Sequence, residues 1–282
     1  SVAFYADNSE SHWLYIALTD SLIRYKYEFG DTAPEPEPEV LANFPDYGLS
    51  YKYGGWHLTR TVAFHNDKVY VSVGSSCNVC EEQEDEVRAA IVEMNPDGTG
   101  QRIYAEGLRN AVGIKWADDN LYATEMGADH LGEEAPDDLF YVIEDGVNYG
   151  WPYCYEDDGK VLSDMTQDWE GNPVDCDSVP KSIAGLGAHV APLGLEFFGM
   201  SGTDPLLRDT FLIALHGSGN VGIGNGYSIV RVDHEGSIQE FLSGFLKNGK
   251  RLGRPVDIMQ RDKDSFFFTD DFGGVVYYVF KS

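Results

Sequence analysis

A histidine and two arginines near the ends of strand-like segments are the residues best placed for chemistry in this chain. His57 and Arg60 lie in the segment Gly54–Arg60, and Arg109 lies in Gly107–Asn110. An imidazole base beside guanidinium groups can abstract a proton while an anionic cofactor or substrate is held in place. These segments can form one site only if the fold brings them together, so the fold is predicted first.

The composition excludes two classes of partner. The 282 residues include 20 Lys and Arg against 47 Asp and Glu, a formal net charge of -27. A surface of this sign repels nucleic acid and anionic membranes, so neither is expected as a partner. No apolar run approaches the roughly 20 residues that cross a bilayer, so no transmembrane segment is predicted. The acidic residues are spread along the chain, which indicates a solvated surface.

A strand-turn-strand unit recurs along the chain and predicts the fold. Each copy has an alternating apolar run, a turn rich in Asp, Asn or Gly, and a second run that ends in a small or acidic residue. The copies begin near Val2, Val62, Gly113, Leu193 and Val256. Further strands follow most of them, at Leu22–Tyr27, Ala90–Asn95, Leu139–Glu144 and Tyr227–Asp233. Four strands per repeat, with a period of about 40 to 50 residues, is typical of a β-propeller.

The repeats predict one all-β domain over residues 1–282, with five visible blades. The last repeat stops after about three strands, at Phe280, and the chain opens directly in a strand without Met or a signal-peptide pattern. We therefore expect a piece upstream of Ser1 to be missing. Helical character is predicted only for Glu82–Arg88 and part of Asp204–Arg208.

Three long segments rich in Gly, Pro and Asp interrupt the blade pattern, namely Asp31–Tyr53, Gly146–Gly187 and His216–Gly226. Insertions on one face of a propeller usually build its binding surface. Within the third, Gly217–Gly222 matches the G-x-G-x-x-G dinucleotide fingerprint. No helix or βαβ unit follows it, so this interpretation is rejected.

The four cysteines predict two local disulfides, Cys77–Cys80 and Cys154–Cys176. A zinc site would need a second close pair or a histidine at ligand spacing, and a thioredoxin-type motif would need a helix after the C-x-x-C. Both disulfides indicate an oxidising compartment, so a periplasmic or secreted location is expected.

An ordered set of motifs along nearly the whole chain resembles one family, the soluble pyrroloquinoline quinone (PQQ)-dependent sugar dehydrogenases, in particular their sorbosone dehydrogenase branch. The motifs are Gly55–Arg60, Val71–Ser76, Asn95–Gly98, Gly107–Gly113, Asn148–Pro152, His216–Ser218 and Gly253–Val256. The resemblance implies a six-bladed propeller with PQQ above the central channel. The chain then begins after the family's first blade.

The resemblance implies roles for particular residues. Arg109 and Arg254 match cofactor-binding arginines, with Asn110 beside the first. His216 ends a strand and opens a loop on what is expected to be the same face, and we include it among the cofactor-binding residues. PQQ carries three carboxylates, so guanidinium groups are suited to hold it in an otherwise acidic protein.

His57 matches the family's general base, which removes the hydroxyl proton of the substrate. Arg60, three residues further on, has the alternative of a structural role. The family's Ca²⁺ is held largely by backbone carbonyls, and the matching positions are Gly127 and Ala128, to which Asp129 could add a carboxylate. His65 and His234 are expected on the surface or in turns.

The predicted activity is therefore the oxidation of a sugar, polyol or sugar aldehyde by hydride transfer to PQQ. No C-x-x-C-H haem motif is present, so electrons are expected to pass to a separate acceptor of cytochrome or quinone type. The loop after His216 departs from the family pattern, since it lacks a tryptophan and a later basic residue. This departure supports an alternative, a propeller that binds a glycan or protein without catalysis. A Ca²⁺-dependent lactonase is a third possibility, which would require inward carboxylates at the channel.

Overall fold

The computed structural model describes residues 1–6, 12–34, 37–46, 49, 55–81, 87–171, 173–199 and 203–281. Strands dominate these residues, and the only helical element among them is a single 3-10 turn, Cys176–Ser178. Five antiparallel sheets follow one another along the chain, and we number them blades I to V. The predicted all-β propeller is confirmed.

The first two blades each have four strands. Blade I contains β1 Val2–Ala6, β2 His12–Ala17, β3 Ser21–Tyr27 and β4 Glu39–Asn43. Blade II contains β5 Val62–His65, β6 Lys68–Val73, β7 Ala90–Met94 and β8 Arg102–Glu106.

The third blade carries an inserted hairpin before its outer strand. Blade III contains β9 Ala111–Ala117, β10 Asn120–Glu125, β11 Asp137–Ile143 and the outer strand β14 Ala184–Ala188. The inserted hairpin consists of β12 Cys154–Asp157 and β13 Lys160–Ser163.

The last two blades differ in strand number. Blade IV contains β15 Pro192–Phe198, β16 Thr210–Leu215, β17 Ser228–Val232 and β18 Ile238–Leu242. A hairpin of two short strands follows, β19 Leu246–Lys247 and β20 Lys250–Arg251. Blade V contains β21 Pro255–Asp262, β22 Ser265–Asp270 and β23 Val275–Phe280.

The repeat pattern predicted the strands closely, and the helices poorly. Asp204–Arg208 is wrong as a helix, because it forms a turn in which the Asp204 carbonyl accepts the N–H groups of Leu207 and Arg208 at 2.9 Å. Its side chain also caps the Leu206 N–H, which closes the turn. In the other predicted helix, residues 82–86 lie outside the described residues. The single-domain boundary stays a prediction.

Hydrophobic clusters between successive blades form the core. One cluster joins blades I and II around Tyr15 and Val71, and a second joins blades II and III around Tyr70 and Leu121. Blades III and IV meet at Tyr122 and its neighbours, and blades IV and V meet around Phe266. The alternating strand pattern produces this arrangement, because blades II to IV bury both of their faces against neighbouring blades, whereas Phe4 of blade I and Val276 of blade V are exposed.

Both predicted disulfides are present. Cys77–Cys80 closes a short loop after β6, and Cys154–Cys176 ties the inserted hairpin to the 3-10 turn. No helix in the described part of the chain is long and apolar enough to cross a membrane.

The antiparallel pairing places the candidate site residues on one face, which we call the site face. His57, Arg109 and Arg254 precede the inner strands β5, β9 and β21. Ala128 and His216 follow the second strands β10 and β16. The start of an inner strand and the end of its antiparallel partner lie at the same edge of a blade. The fold therefore brings the two segments of interest to a common face.

Glycines allow the inner strands to approach each other. A Cβ atom at Gly113 of β9 would collide with the Leu193 carbonyl of β15. A Cβ at Gly194 would likewise collide with Asp257 of β21. The Thr124 hydroxyl joins the same contact, because it donates to the Leu193 carbonyl at 2.7 Å and accepts the Gly113 N–H at 2.9 Å.

We expect Gly113→Ala to lower the free energy of unfolding by about 2–3 kcal/mol, the cost of overpacking against a backbone atom that cannot move freely. Gly219→Ala is the matched control, since a Cβ there meets no atom within 4 Å. Urea unfolding of both variants gives the comparison. Equal stabilities of the two variants would contradict this account of inner-strand packing.

Candidate functional site

The imidazole of His57 is held in one tautomer. Its Nδ1 lies 2.8 Å from Ser75 Oγ and 3.2 Å from the Ser75 carbonyl. The Ser75 hydroxyl donates its one proton to the Cys77 carbonyl at 2.7 Å, so toward His57 it can only accept. Nδ1 therefore carries the ring proton, and Nε2 keeps its lone pair. A lone pair at Nε2 is what a general base needs.

The surroundings of His57 keep it neutral. Its pKa is lowered to about 3, chiefly by burial, next by the positive charge of Arg109, and to a smaller extent by the charges of Arg88 and Arg60. The Ser75 carbonyl opposes this trend weakly because it accepts from the ring. His57 is consequently unprotonated in the free protein at any pH above about 4.

Two buried arginines support the segment that carries His57. Arg60 donates to the carbonyls of His57 at 2.7 Å, Thr59 at 3.1 Å and Pro45 at 3.1 Å. Its side chain is 1% exposed, and burial lowers its pKa to about 9. These contacts match the structural alternative for Arg60.

Arg88 is a site-face residue that the sequence analysis missed. Its guanidinium donates to the carbonyls of Gly74, Trp56 and Ser75, and to that of Pro45. The available signal was a lone arginine directly after an acidic run and before strand β7. Acidic residues surround a basic residue in that position of the sequence. Arg88 is nevertheless buried, so its N–H groups must bond to acceptors inside the protein.

Arg109 is buried and almost completely paired. Its Nε and Nη2 donate to the carbonyl and to Oδ1 of Asn78 at 2.9 and 2.7 Å, and its Nη1 donates to the Met126 carbonyl at 3.2 Å. The carboxylate of Asp129 lies 3.5 Å from Nη2. Burial lowers the pKa of Arg109, while Asp129 and Glu125 raise it. Asn78 was not singled out from the sequence.

Asn110 lies between His57 and the end of strand β10. Its N–H donates to both oxygens of Glu125, at 3.0 and 3.3 Å, and its Nδ2 lies 3.1 Å from the Met126 sulfur. Gly74 allows the approach, because a Cβ there would lie 2.5 Å from His57 Cβ and 2.6 Å from Asn110 Oδ1. The lack of a side chain at Gly74 therefore lets His57 and Asn110 lie close together.

The predicted metal positions follow strand β10. The Gly127 N–H donates to Asp138 Oδ1 at 2.7 Å, and the carbonyls of Gly127 and Ala128 accept no hydrogen bond from any described residue. The carboxylate of Asp129 is paired with Arg109 and lies 3.3 Å from Nδ1 of His189. The carbonyls of Gly127 and Ala128 therefore have no described hydrogen-bond donor, as ligands of a hard cation would require, whereas the carboxylate of Asp129 already contacts the Arg109 guanidinium and the His189 imidazole.

Two buried carboxyl groups lie beneath this loop, and the sequence analysis identified neither. Burial raises the pKa of Glu125 to about 8 and that of Asp138 to about 7. Backbone N–H donors and the charge of Arg109 partly offset the rise in each pKa. For Asp138 the donors are the N–H groups of Ala191, at 2.8 Å, and Gly127. The signal was available in Asp138, an acidic residue one position into an otherwise apolar strand.

His216 and Arg254 contact each other on the site face. Arg254 donates through Nε to the His216 carbonyl at 3.0 Å and through Nη2 to the Gly217 carbonyl. His216 Nε2 lies 2.9 Å from the carboxylate of Asp271. Burial lowers the pKa of His216, and the Asp271 contact opposes this. The guanidinium of Arg254 also lies 5.8 Å from the centre of the Tyr227 ring.

An open cavity of about 580 Å³ adjoins His216 and Arg254. Its lining includes Met126, Asp129, His189, His216 and Arg254. His57, Arg109 and Asn110 are not part of the lining. Arg109 and Asn110 reach its wall through their contacts with Met126 and Asp129. The structure thus places His216 and Arg254 in the lining of one cavity, with Arg109 and Asn110 behind its wall.

His189 is the cavity residue that sequence reasoning should have found. It immediately precedes an inner-strand segment, as His57, Arg109 and Arg254 do, and it lies next to Asp129. Among the described residues of the three long insertions, only those of His216–Gly226 contribute to the lining of this cavity. The rejected G-x-G-x-x-G motif forms a loop within it, without a helix.

Chemically, the site face offers a neutral imidazole base, buried guanidinium groups, two free carbonyls and an open cavity. This set can hold an anionic, drug-sized ligand and a hard cation, and can remove a proton from a hydroxyl group beside them.

A family model described as TrAA12-like matches residues 5–281. An uncharacterized protein of Borreliella burgdorferi is 34% identical over 225 residues, which cover 76% of this chain. The match covers 58% of that relative's length, so the chain spans less than two thirds of it.

Solved structures share the fold. The iodide structure of a Trichoderma reesei carbohydrate-active enzyme of family AA12 superposes with a TM-score of 0.78 at 19% identity, covering 99% of this chain and 79% of that one. The holo form of the pyranose dehydrogenase PQQ domain from Coprinopsis cinerea gives a TM-score of 0.76 at 20% identity, covering 99% of this chain and 81% of that one. At these identities the likeness shows the fold.

The buried Glu125 is expected to make the protein less stable as the pH rises. Its folded-state pKa of about 8 lies above the ordinary value of 4.5, so folding favours the protonated form. That stabilisation is complete below pH 4.5 and is lost as the pH rises through 8, by an amount on the order of 3 kcal/mol.

Glu125→Gln removes the titration, so its free energy of unfolding should fall less than that of the wild type between about pH 5 and pH 9. Urea unfolding at several pH values measures the difference. Glu240→Gln, which changes an exposed carboxylate on β18, is the control. Identical pH dependence in Glu125→Gln and wild type would show that Glu125 ionises normally.

Proposed function

Because the chain belongs to the TrAA12-like family, we propose that it is a PQQ- and Ca²⁺-dependent oxidoreductase that oxidises a sugar, polyol or sugar aldehyde. The observation that carries this proposal is the state of His57. It is a neutral imidazole whose proton is fixed on Nδ1 and whose Nε2 is left as a base, close to Arg109 and Asn110. A module that only binds has no need of such a group.

The residues present fit PQQ. Its three carboxylates require cationic partners in a protein of net charge -27. Arg254 lines the cavity, and Arg109 lies behind its wall, in contact with Met126 and Asp129. We propose that these two arginines, with Asn110 and His216, hold the cofactor. The cavity of about 580 Å³ lies within the range of roughly 300–1,000 Å³ in which such ligands bind.

The calcium ion is proposed to bind at the carbonyls of Gly127 and Ala128, because neither accepts a hydrogen bond from a described residue. Asp129 is a weaker candidate than the sequence indicated. Its carboxylate already contacts Arg109 and His189, and a cation would have to compete with both. Its negative charge nevertheless favours a cation nearby.

When bound, PQQ supplies an ortho-quinone that accepts a hydride, and Ca²⁺ supplies a Lewis acid that polarises it. The chain supplies the proton acceptor: His57 Nε2 takes the proton of the substrate hydroxyl. Ser75 holds the other ring nitrogen, so the tautomer is set before the substrate arrives. The buried arginines keep the imidazole neutral until it accepts that proton.

One observation favours the alternative, a propeller that binds without catalysis. In the loop after His216, Arg254 and Arg251 donate to the carbonyls of residues 216–219, so they are partly committed to holding the loop. A lactonase is less well supported, because both oxygens of Asp138 accept backbone N–H groups and Asp129 is paired. Those carboxylates have little capacity for a metal.

The two disulfides support a periplasmic or secreted location. A sugar-sized substrate, together with a separate electron acceptor of cytochrome or quinone type, completes the proposal.

Titration of the purified protein with PQQ in the presence of Ca²⁺ tests the cofactor. We expect saturable binding that weakens by about tenfold or more in Arg254→Ala, since a charge-assisted contact is lost. Dye reduction across aldoses, polyols and sugar aldehydes then identifies the substrate. Absence of PQQ binding, with binding of a glycan instead, would favour the non-catalytic alternative.

His57→Gln is expected to lower the turnover of the loaded enzyme by about 10²–10⁴-fold, the usual contribution of a general base, while PQQ affinity stays within a factor of a few. The control is His65→Gln, a histidine of the same blade that stacks on Trp116 away from the cavity. Steady-state kinetics and PQQ titration separate the two effects. An unchanged turnover number in His57→Gln would assign the base to another residue, with His189 the first candidate.

A further inference from the structure

The short loop closed by Cys77–Cys80 contacts three parts of the proposed site, namely the residue that orients the base, the buried Arg109 and the metal loop. We infer that this loop is the positioning element of the site and that Asn78 is its principal residue. The inference rests on the proposed function and deepens it, because it names what fixes the base, the cofactor arginine and the metal loop relative to one another. None of these contacts is part of a blade sheet.

The first contact orients the base. The Cys77 carbonyl accepts the Ser75 hydroxyl proton at 2.7 Å, and this forces the Ser75 oxygen to accept from His57 Nδ1. If the carbonyl turned away, the hydroxyl could donate to His57 instead. The Ser75 carbonyl, 3.2 Å from Nδ1, would then be the only remaining described acceptor for the ring proton, and the tautomer with the proton on Nε2, which is not a base, would become populated.

The second contact orients the buried arginine. Asn78 offers two acceptors to Arg109, its own carbonyl at 2.9 Å and its side-chain Oδ1 at 2.7 Å. Arg109 is 2% exposed, so water cannot readily replace these acceptors. A planar guanidinium held by two fixed acceptors on one residue has little freedom to rotate.

The third contact orients the metal loop. The same Oδ1 of Asn78 accepts the N–H of Asp129 at 3.0 Å. This bond anchors the backbone directly after Gly127 and Ala128, whose carbonyls are the proposed calcium ligands. One side-chain oxygen of blade II therefore fixes both an arginine and a loop of blade III.

The disulfide makes this arrangement rigid. It joins residues only three positions apart, and the loop it closes contains Asn78. A loop this short contributes less to the stability of the whole protein than a long one, because little chain entropy is removed. Its main effect is local.

Hydrogen exchange in the cofactor-free protein tests the inference directly. In Asn78→Ala, the amide of Asp129 is expected to exchange about tenfold faster or more, because its acceptor is gone. Asn78→Asp keeps an oxygen at this position and should restore the protection. Asn95→Ala, which alters a turn between β7 and β8, should leave the Asp129 amide unchanged. Equal exchange in Asn78→Ala and wild type would overturn the inference.

The tautomer of His57 is a second readout that needs no cofactor. Nitrogen NMR of the imidazole should show Nδ1–H in the wild type and a mixture of tautomers in the double variant Cys77→Ser/Cys80→Ser. The matched control, Cys154→Ser/Cys176→Ser, removes the disulfide of larger sequence separation. This control should lower the melting temperature more than Cys77→Ser/Cys80→Ser does, yet leave the tautomer of His57 unchanged. The reverse pattern would contradict a positioning role.

PQQ titration of the same variants separates this inference from the proposed function. If the wild type binds PQQ, Asn78→Ala should weaken binding by about tenfold, since Arg109 is released. If the wild type does not bind PQQ, the proposed function fails. The exchange and NMR results then still decide whether the loop positions these residues.

Discussion

The site face depends on one kind of interaction, the donation of arginine N–H groups to main-chain carbonyls of loops. Loops on the surface of a propeller have few regular partners for their carbonyls, and an unpaired buried carbonyl is costly. Arg60, Arg88, Arg109 and Arg254 provide these partners. Each guanidinium has several donors in one plane, so a single side chain fixes several peptide groups at once.

This arrangement also sets the electrostatics of the site. The protein is strongly acidic as a whole, yet the charges nearest to His57 are the guanidinium groups of Arg109, Arg88 and Arg60. Because these groups are buried, solvent screens them poorly. A local positive potential inside a negative protein attracts anionic groups to one place and repels them elsewhere on the surface.

The sequence predicted the blades well because alternating apolar runs and turn residues act locally. Strands such as Ser21–Tyr27 and Ala90–Met94 lie within one residue of their predicted bounds. Asp138 and His189 were missed although each has a signal in the sequence, an acidic residue early in an apolar strand and a histidine ahead of an inner strand. Asn78 could not be identified, because its importance comes from contacts across blades. Asp204–Arg208 failed as a helix because an aspartate side chain caps a single turn.

The arginine contacts have a direction around the propeller. Arg60 of the second blade reaches the carbonyl of Pro45, which follows the first, and Arg109 of the third reaches Asn78 of the second. Arg254 of the fifth blade holds the loop of the fourth. Blades II, III and V therefore each complete the blade before them, so the blades are not interchangeable modules. Grafting a loop from a relative would succeed only when the arginine of the following blade is transferred with it.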